Sequence, residues 1–397
     1  MRPGNFAFWL GFAFWLGSVA SASLLVATSA AQQAPKSETA PCFNQSCPIE
    51  PVAPTKSETG ASDKSYDWKA SFAAYKVGKV PRTADGKPDL QGIWSRSILT
   101  PVERPGNESD TTEYDPSVRA EFEDAAQQRQ FDLRTEPTVT PPGEKTTDAY
   151  NTLWRDGYWY KVPMTSLHTS QVVDPPEGRL PPLTPAARDQ QARADYLLNR
   201  PATGPEDRPL ASRCLRPIGI GPAFTGSGPG GQETTLQIIQ SPQAVVVRVE
   251  ALRSQLIYLD GRPPPPAGVH LEQGAARGHW DGDTLVVEYT NFAADAMVSG
   301  VTTYSMPPKT RVMSDGTVSK RLTERWKRLD DTHLLYGFTM DDPVTRTKPY
   351  SVEFVMWRLT DQEQLVEYAC HEGNVGLEFT LSGARAKERE EEEQHEK

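Results

Sequence analysis

The sequence lacks the short motifs that mark the commonest enzyme and metal-binding classes. It contains no Gly-x-Ser-x-Gly nucleophile elbow and no Walker phosphate-binding loop. Neither Cys-x-x-Cys nor His-x-x-x-His spacing occurs, so no metal site and no cofactor are predicted. The Gly-rich stretch at 226–232 follows no predicted strand and precedes no predicted helix, which argues against phosphate binding there.

Positive charge is also scarce. The chain has 42 lysine and arginine residues against 52 aspartate and glutamate residues, a formal net charge of −10. No basic cluster with interleaved aromatic residues appears that could neutralise phosphates. The composition therefore excludes nucleic acid as an expected partner.

Long apolar runs are limited to one, at the N-terminus. Met1-Arg2 is followed by an apolar stretch over 6–27, and small residues close it up to Ala31. This pattern predicts a signal peptide over residues 1–31, and hence a periplasmic or secreted protein with no membrane span after cleavage. The alternative is an uncleaved anchor, since about 20 apolar residues can span a bilayer.

Cysteine is rare, with four residues in 397. Disulfides form in an oxidising compartment, and four cysteines allow three pairings. Cys42 and Cys47 lie close together in a proline-rich segment and can close a small loop, which leaves Cys214 to pair with Cys370. A redox or metal site is the alternative, although neither spacing is Cys-x-x-Cys.

Composition divides the rest of the chain into three parts. Residues 32–65 are rich in Pro, Ser and Thr and are predicted to form a disordered spacer. Residues 66–382 are predicted to form a single β-rich globular domain. Residues 383–397 form a charged tail, predicted to be a solvated helix or disordered.

Two helices are predicted within the domain, over 115–134 and 184–198. Asp115 and Thr184 can cap them, and each is followed by a proline at the first helical position. The first strand is predicted over Leu90–Leu99, and the segment 165–173 is predicted to form another.

Strands dominate the chain from residue 234 onward. Three hairpin-like units, over 278–292, 320–342 and 351–374, each pair a tryptophan-bearing strand with an apolar one across a short acidic turn. Alternation predicts that two sets of side chains each share one face of the sheet: Leu285, Val287 and Tyr289, and Leu334, Tyr336, Phe338 and Met340.

The predicted fold class is mainly β. Eight to ten strands fit between residues 90 and 380, and an open sheet would expose unpaired edges. We therefore expect an antiparallel meander closed or nearly closed as a barrel, with two peripheral helices and long Pro/Gly-rich loops.

Several phrases in one order resemble a large family of exported bacterial proteins of unassigned function. They include PDLQGIW at 88–94, GHWDGDTLVV at 278–287 and YACHEGN at 368–374. The resemblance implies secretion or periplasmic residence, one domain and no known cofactor. Members of this family often have Glu-x-x-His-x-x-Arg before a Leu-Asp-Gly turn. Glu250 matches that pattern here, but Arg253 and Leu256 replace the His and the Arg.

A shorter resemblance concerns the first strand. Gly92-Ile93-Trp94 is similar to the Gly-x-Trp of the lipocalin first strand, where the Trp plugs one end of the barrel. Three residues imply an analogy of fold only.

The catalytic candidates are His168, His371 and Glu372. A His-Glu pair with a second histidine can act as general acid and base. Because neighbouring strand residues point to opposite faces, His371 and Glu372 converge only if the chain bends. The alternative is a hydrogen-bonded strand end.

The ligand-binding candidates are of two kinds. Trp154, Trp159 and Tyr160 lie in an aromatic cluster that can stack on a flat ligand or simply pack as a lid. Arg248 and Glu250 are charged positions inside an apolar strand, either on a solvated outer face or lining a polar pocket.

The leading functional prediction is an exported protein that binds a small hydrophobic or aromatic ligand in a barrel roofed by the aromatic cluster. The alternatives are a hydrolase that uses His168, His371 and Glu372, and an envelope protein with a structural or interaction role.

Overall fold

The computed structural model describes residues 66–106, 111–135, 162–208, 213–214, 235–249, 253–271, 273–293, 320–360, 365, 371–372 and 375–395. The predicted signal peptide and spacer lie outside these residues, as do Cys42 and Cys47.

The described strands form one ten-stranded sheet, nine strands of which close into a barrel. The strands are β1 (Gly92–Ser95), β2 (Val172–Asp174), β3 (Thr235–Gln240), β4 (Ala244–Val249), β5 (Arg253–Tyr258), β6 (Ala275–Asp281), β7 (Thr284–Thr290), β8 (Arg321–Arg328), β9 (His333–Asp341) and β10 (Tyr350–Arg358). The order is β1-β3-β4-β5-β6-β7-β8-β9-β10, and β10 pairs back with β1. Strand β2 pairs with β10 outside this ring. The predicted barrel is confirmed.

The hairpins follow the predicted units where the chain is described. The unit over 278–292 contains the β6–β7 hairpin, and the unit over 320–342 contains β8–β9. In the third unit β10 is confirmed, whereas most of the following strand lies outside the described residues. All described neighbours pair antiparallel except β5 and β6, which are parallel through the single pair Tyr258↔Arg277. The proline-rich connector between them lets β6 run in the same direction as β5, whereas a tight hairpin turn would reverse the chain.

The barrel interior is apolar along most of each strand. The two predicted sets of alternating side chains, on β7 and β9, all belong to one buried core with residues from the other strands of the barrel. Period-two alternation places the residues between them on the outer face.

Trp94 is buried in the barrel core near the end at which β8 finishes. This side chain has no solvent exposure, and its Nε1 donates to the carbonyl of Leu90 at 3.0 Å. The guanidinium of Arg328 lies over the ring at 4.9 Å from its centroid and donates to the carbonyls of Asp89, Asp330 and Asp331. We call this the Trp94 end. The plugging role that the Gly-x-Trp resemblance implies stays a prediction.

Four helices are present in the described part: α1 (Trp68–Ala74), α2 (Arg119–Thr135), α3 (Pro185–Asn199) and α4 (Gly376–His395). Helices α2 and α3 confirm the two predictions, and both predicted caps are made. Asp115 caps a 3₁₀ turn that leads into α2, and Thr184 Oγ1 accepts from the N–H of Ala187. Helix α4 begins before the predicted tail boundary at residue 383 and runs through the tail.

Helix α1 was not predicted, and it covers the outer face of β8, β9 and β10. Trp68 and Phe72 pack on Leu335 and Val355. The indole Nε1 of Trp68 donates to Thr339 Oγ1 at 2.9 Å. A strand pattern alone does not show which part of an outer face another segment will cover.

The contact between α1 and the barrel depends on Gly337. A Cβ at this position would overlap Trp68 Cζ3. We expect Gly337→Ala to displace Trp68 and to lower the free energy of unfolding by about 1–3 kcal/mol in urea titrations. Gly383→Ala is the control, because nothing lies within 4 Å of a Cβ there and alanine favours the helix, so this variant should be at least as stable as the wild type. A Gly337→Ala variant as stable as the wild type would contradict the close packing of Trp68 against Gly337.

Candidate functional site

A carboxylate lies among the apolar side chains inside the barrel. Glu324 is near the middle of β8 and has no solvent exposure. The strand alternates, so that Glu324 shares the buried face with Leu322 and Trp326, whereas the residues between them are less buried. This alternation places Glu324 on the inner face of the barrel.

Two tyrosines from the neighbouring strands bind this carboxylate. The Tyr289 hydroxyl donates to Glu324 Oε2 at 2.9 Å, and the Tyr336 hydroxyl donates to Oε1 at 2.8 Å. Glu324 is directly opposite Val287 on β7 and Phe338 on β9, so both tyrosines reach it from diagonal positions. Each carboxylate oxygen therefore has a fixed donor.

Burial and the charge of Glu324 raise the pKa of Tyr336 well above its ordinary value. The hydroxyl therefore stays protonated and keeps donating. Arg96 is also fully buried and follows β1, between the core residues Trp94 and Ile98. It lies close enough to Tyr336 to lower its pKa, opposing Glu324. We call Glu324, Tyr289, Tyr336 and Arg96 the interior network.

Trp326 extends the polar part of the interior toward the Trp94 end. Its ring centroid is 4.5 Å from that of Tyr336, and the side chain is almost completely buried. Its Nε1 has no hydrogen-bond partner within the described residues. A buried N–H without an acceptor costs about 1–3 kcal/mol, so this group favours the presence of an additional acceptor.

The interior network offers a carboxylate acceptor, phenolic hydroxyls and a guanidinium inside aromatic walls. Each oxygen of a carboxylate can accept more than one hydrogen bond. This arrangement suits recognition of a polar group on an otherwise apolar molecule.

The catalytic candidates are not brought together by any contact in the described part of the chain. His168 is half-buried in an isolated bridge to Glu113, and its Nε2 lies 3.6 Å from Glu113 Oε1. Its ring also lies beside that of Tyr75, with 6.4 Å between centroids. His371 and Glu372 are both exposed, just before α4. The His168, His371 and Glu372 site stays a prediction.

The ligand-binding candidates are mostly beyond the described residues. Trp154, Trp159, Tyr160 and Glu250 all lie there. Arg248 is described and is exposed on the outer face of β4, opposite the buried positions Val247 and Val249. Of its two predicted environments, this placement is the solvated outer face.

Cys214 is buried, at 7% exposure. Cys370 lies outside the described residues, so their pairing stays a prediction.

Sequence reasoning missed Glu324, although the signal was present. Glu324 stands two positions from Leu322 and from Trp326 in an alternating strand, which places a charge on the apolar face. Glu288 on β7 instead falls on the face of its strand opposite the buried residues, and it is exposed. Whether a strand glutamate falls on the same face as the apolar residues two positions away distinguishes the buried Glu324 from the exposed Glu288.

Comparison of the chain with protein-family models, curated proteins and solved structures found no match. The family resemblance of its sequence phrases therefore stays a prediction. In the described ranges no helix has the length and apolar character needed to cross a membrane. Those same residues include no group of three or more His, Cys, Asp or Glu side chains that could hold a metal ion.

Proposed function

We propose that this protein is an exported binding protein whose barrel takes up a small hydrophobic or aromatic molecule carrying a hydrogen-bond donor. Export is inferred from the predicted signal peptide over residues 1–31. The observation that carries the binding proposal is the hydrogen-bonded Glu324 carboxylate in the apolar barrel interior.

The cost of burying this network supports a functional role. Removing charged groups from water costs several kcal/mol each, and an apolar pair of similar volume is often as stable or more stable. The residues directly opposite Glu324 on the two neighbouring strands, Val287 and Phe338, are apolar. Recognition of a ligand group gives this carboxylate a use that packing does not.

The walls around the network set the class of ligand. Tyr289, Tyr336, Phe338 and Phe354 provide aromatic faces around or near Glu324. Ring faces favour flat or apolar bodies, and the carboxylate favours a hydroxyl or an amine. A ligand with both features would satisfy the site.

Entry is expected at the end of the barrel opposite Trp94. Tyr289 lies near the end of β7 that points away from the Trp94 end, and β4 also finishes at that end. The segments that follow β4 and β7 include residues outside the described part, and the aromatic cluster that is predicted to roof the barrel lies outside it.

A thermal-shift screen with lipids, sugars and aromatic compounds tests the proposal. We expect an aromatic or apolar compound with a hydroxyl or amine to raise the melting temperature. Glu324→Gln should then weaken its binding by about 10-fold or more, since hydrogen bonds to charged groups contribute about 1.5–3 kcal/mol.

Glu288→Gln is the matched control, because Glu288 is exposed on the outer face of the adjacent strand. The control should bind like the wild type. No stabilising compound in the whole screen, or equal affinities of Glu324→Gln and Glu288→Gln, would contradict the proposal.

A further inference from the structure

A second carboxylate is buried on the outer face of the barrel, beneath helix α1. Glu353 on β10 is 1% exposed. Its neighbours in the strand, Val352 and Phe354, belong to the barrel core, so Glu353 points away from the interior. This position is separate from the interior network.

Only one oxygen of this carboxylate accepts a hydrogen bond of normal geometry. Glu353 Oε2 accepts from Ser71 Oγ of α1 at 2.6 Å. Glu353 Oε1 is buried and has no hydrogen-bond partner within the described residues. The same region contains a second unsatisfied atom, the buried hydroxyl oxygen of Tyr75.

The surroundings of this free oxygen are hydroxyl groups. The Tyr75 side chain lies beside Glu353 and Ser166, and the Tyr66 side chain lies beside Glu353 and Ser71. Burial, followed by the charge of Glu353, raises the pKa of Tyr66 to about 12 and the pKa of Tyr75 above its ordinary value. Both hydroxyls therefore stay protonated and neutral at physiological pH.

No lysine, arginine or histidine in the described part forms an ion pair with Glu353. The nearby cations have other partners. Lys327 Nζ donates to the Phe72 carbonyl, and Arg325 lies over the Trp68 ring and interacts with Glu288 and Asp281. A buried carboxylate without a counter-charge is costly, so this site favours a cation from solution.

We propose that Glu353, Tyr75 and Ser166 bind a small monovalent cation such as Na⁺ or K⁺. Carboxylate and hydroxyl oxygens are hard ligands, which suit cations of this kind. One carboxylate supplies one negative charge, which matches a monovalent ion. The bound ion would link α1, through Tyr75 and Ser71, to β10 and to the segment that contains Ser166.

Thermal unfolding of the full chain in different chloride salts at equal ionic strength tests this site. We expect NaCl or KCl to raise the melting temperature by roughly 3–5 °C over choline chloride, whose cation is too large for the site. Glu353→Gln should remove this difference while the barrel stays folded, because the change keeps the shape of the side chain. Glu288→Gln should keep the difference.

Equal melting temperatures of the wild type in all three salts would overturn the proposal, since a protonated Glu353 or a bridging water needs no cation. A salt-specific shift that survives in Glu353→Gln would also overturn it. Ligand binding in the interior is measured separately, so failure here leaves the role of Glu324 untouched.

Discussion

Trp94→Ala is expected to lower the free energy of unfolding by about 3–5 kcal/mol, as for other fully buried tryptophans. The change removes a side chain with no solvent exposure from one end of the barrel core. It also removes the hydrogen bond to the Leu90 carbonyl and the ring beneath the Arg328 guanidinium. Equilibrium unfolding in guanidinium chloride measures the loss.

Trp280→Ala is the control for the size of the lost side chain. Trp280 is half-buried and packs only at the edge of the core, with Lys87 Nζ 5.8 Å from its ring. We expect this variant to lose about 1 kcal/mol, the centre of the range for point substitutions. Equal losses in the two variants would show that the burial and contacts of Trp94 stabilise the core no more than a half-buried tryptophan does.

Cys214→Ser is expected to lower stability by ~5 kcal/mol if Cys214 pairs with Cys370, because the bridge would close a loop of about 155 residues. The same loss should follow when a reducing agent is added to the wild type. Mass spectrometry of peptides from the unreduced protein checks the pairing itself.

Cys42→Ser is the control for this prediction. Cys42 lies in the predicted spacer, where loss of a short loop should leave the unfolding curve nearly unchanged. Peptides that join Cys214 to Cys42 or Cys47, or equal losses in the two variants, would contradict the predicted pairing.

Much of the fold follows from patterns that are local in sequence. The caps at Asp115 and Thr184 and the hairpin turns at 281–284 and 329–332 could be located because each depends on a few adjacent residues. The barrel itself followed from alternation together with the cost of unpaired edges.

What escaped prediction depends on contacts between distant segments. The parallel pair of β5 and β6, and the packing of Trp68 into the space at Gly337, join parts of the chain that no short pattern relates. Glu353 is a charged residue in an apolar strand, a pattern that fits either a solvated outer face or a polar pocket. It is buried because α1 covers it, and the pattern of β10 does not contain that information.

The candidate site, too, depends partly on local sequence patterns and partly on contacts between distant segments. The phase of β8 is enough to place Glu324 inside the barrel, but its two tyrosine partners depend on the register of three strands. His168 was selected as a histidine within a predicted strand, whereas its neighbours Glu113 and Tyr75 come from elsewhere in the chain.

Native mass spectrometry of the protein, purified without denaturation from an exporting bacterial host, tests the central claim most directly. The account predicts that the wild type and Glu288→Gln carry a small bound molecule that Glu324→Gln lacks. A wild-type protein with no bound mass that also fails to take up any compound from the screen would contradict it.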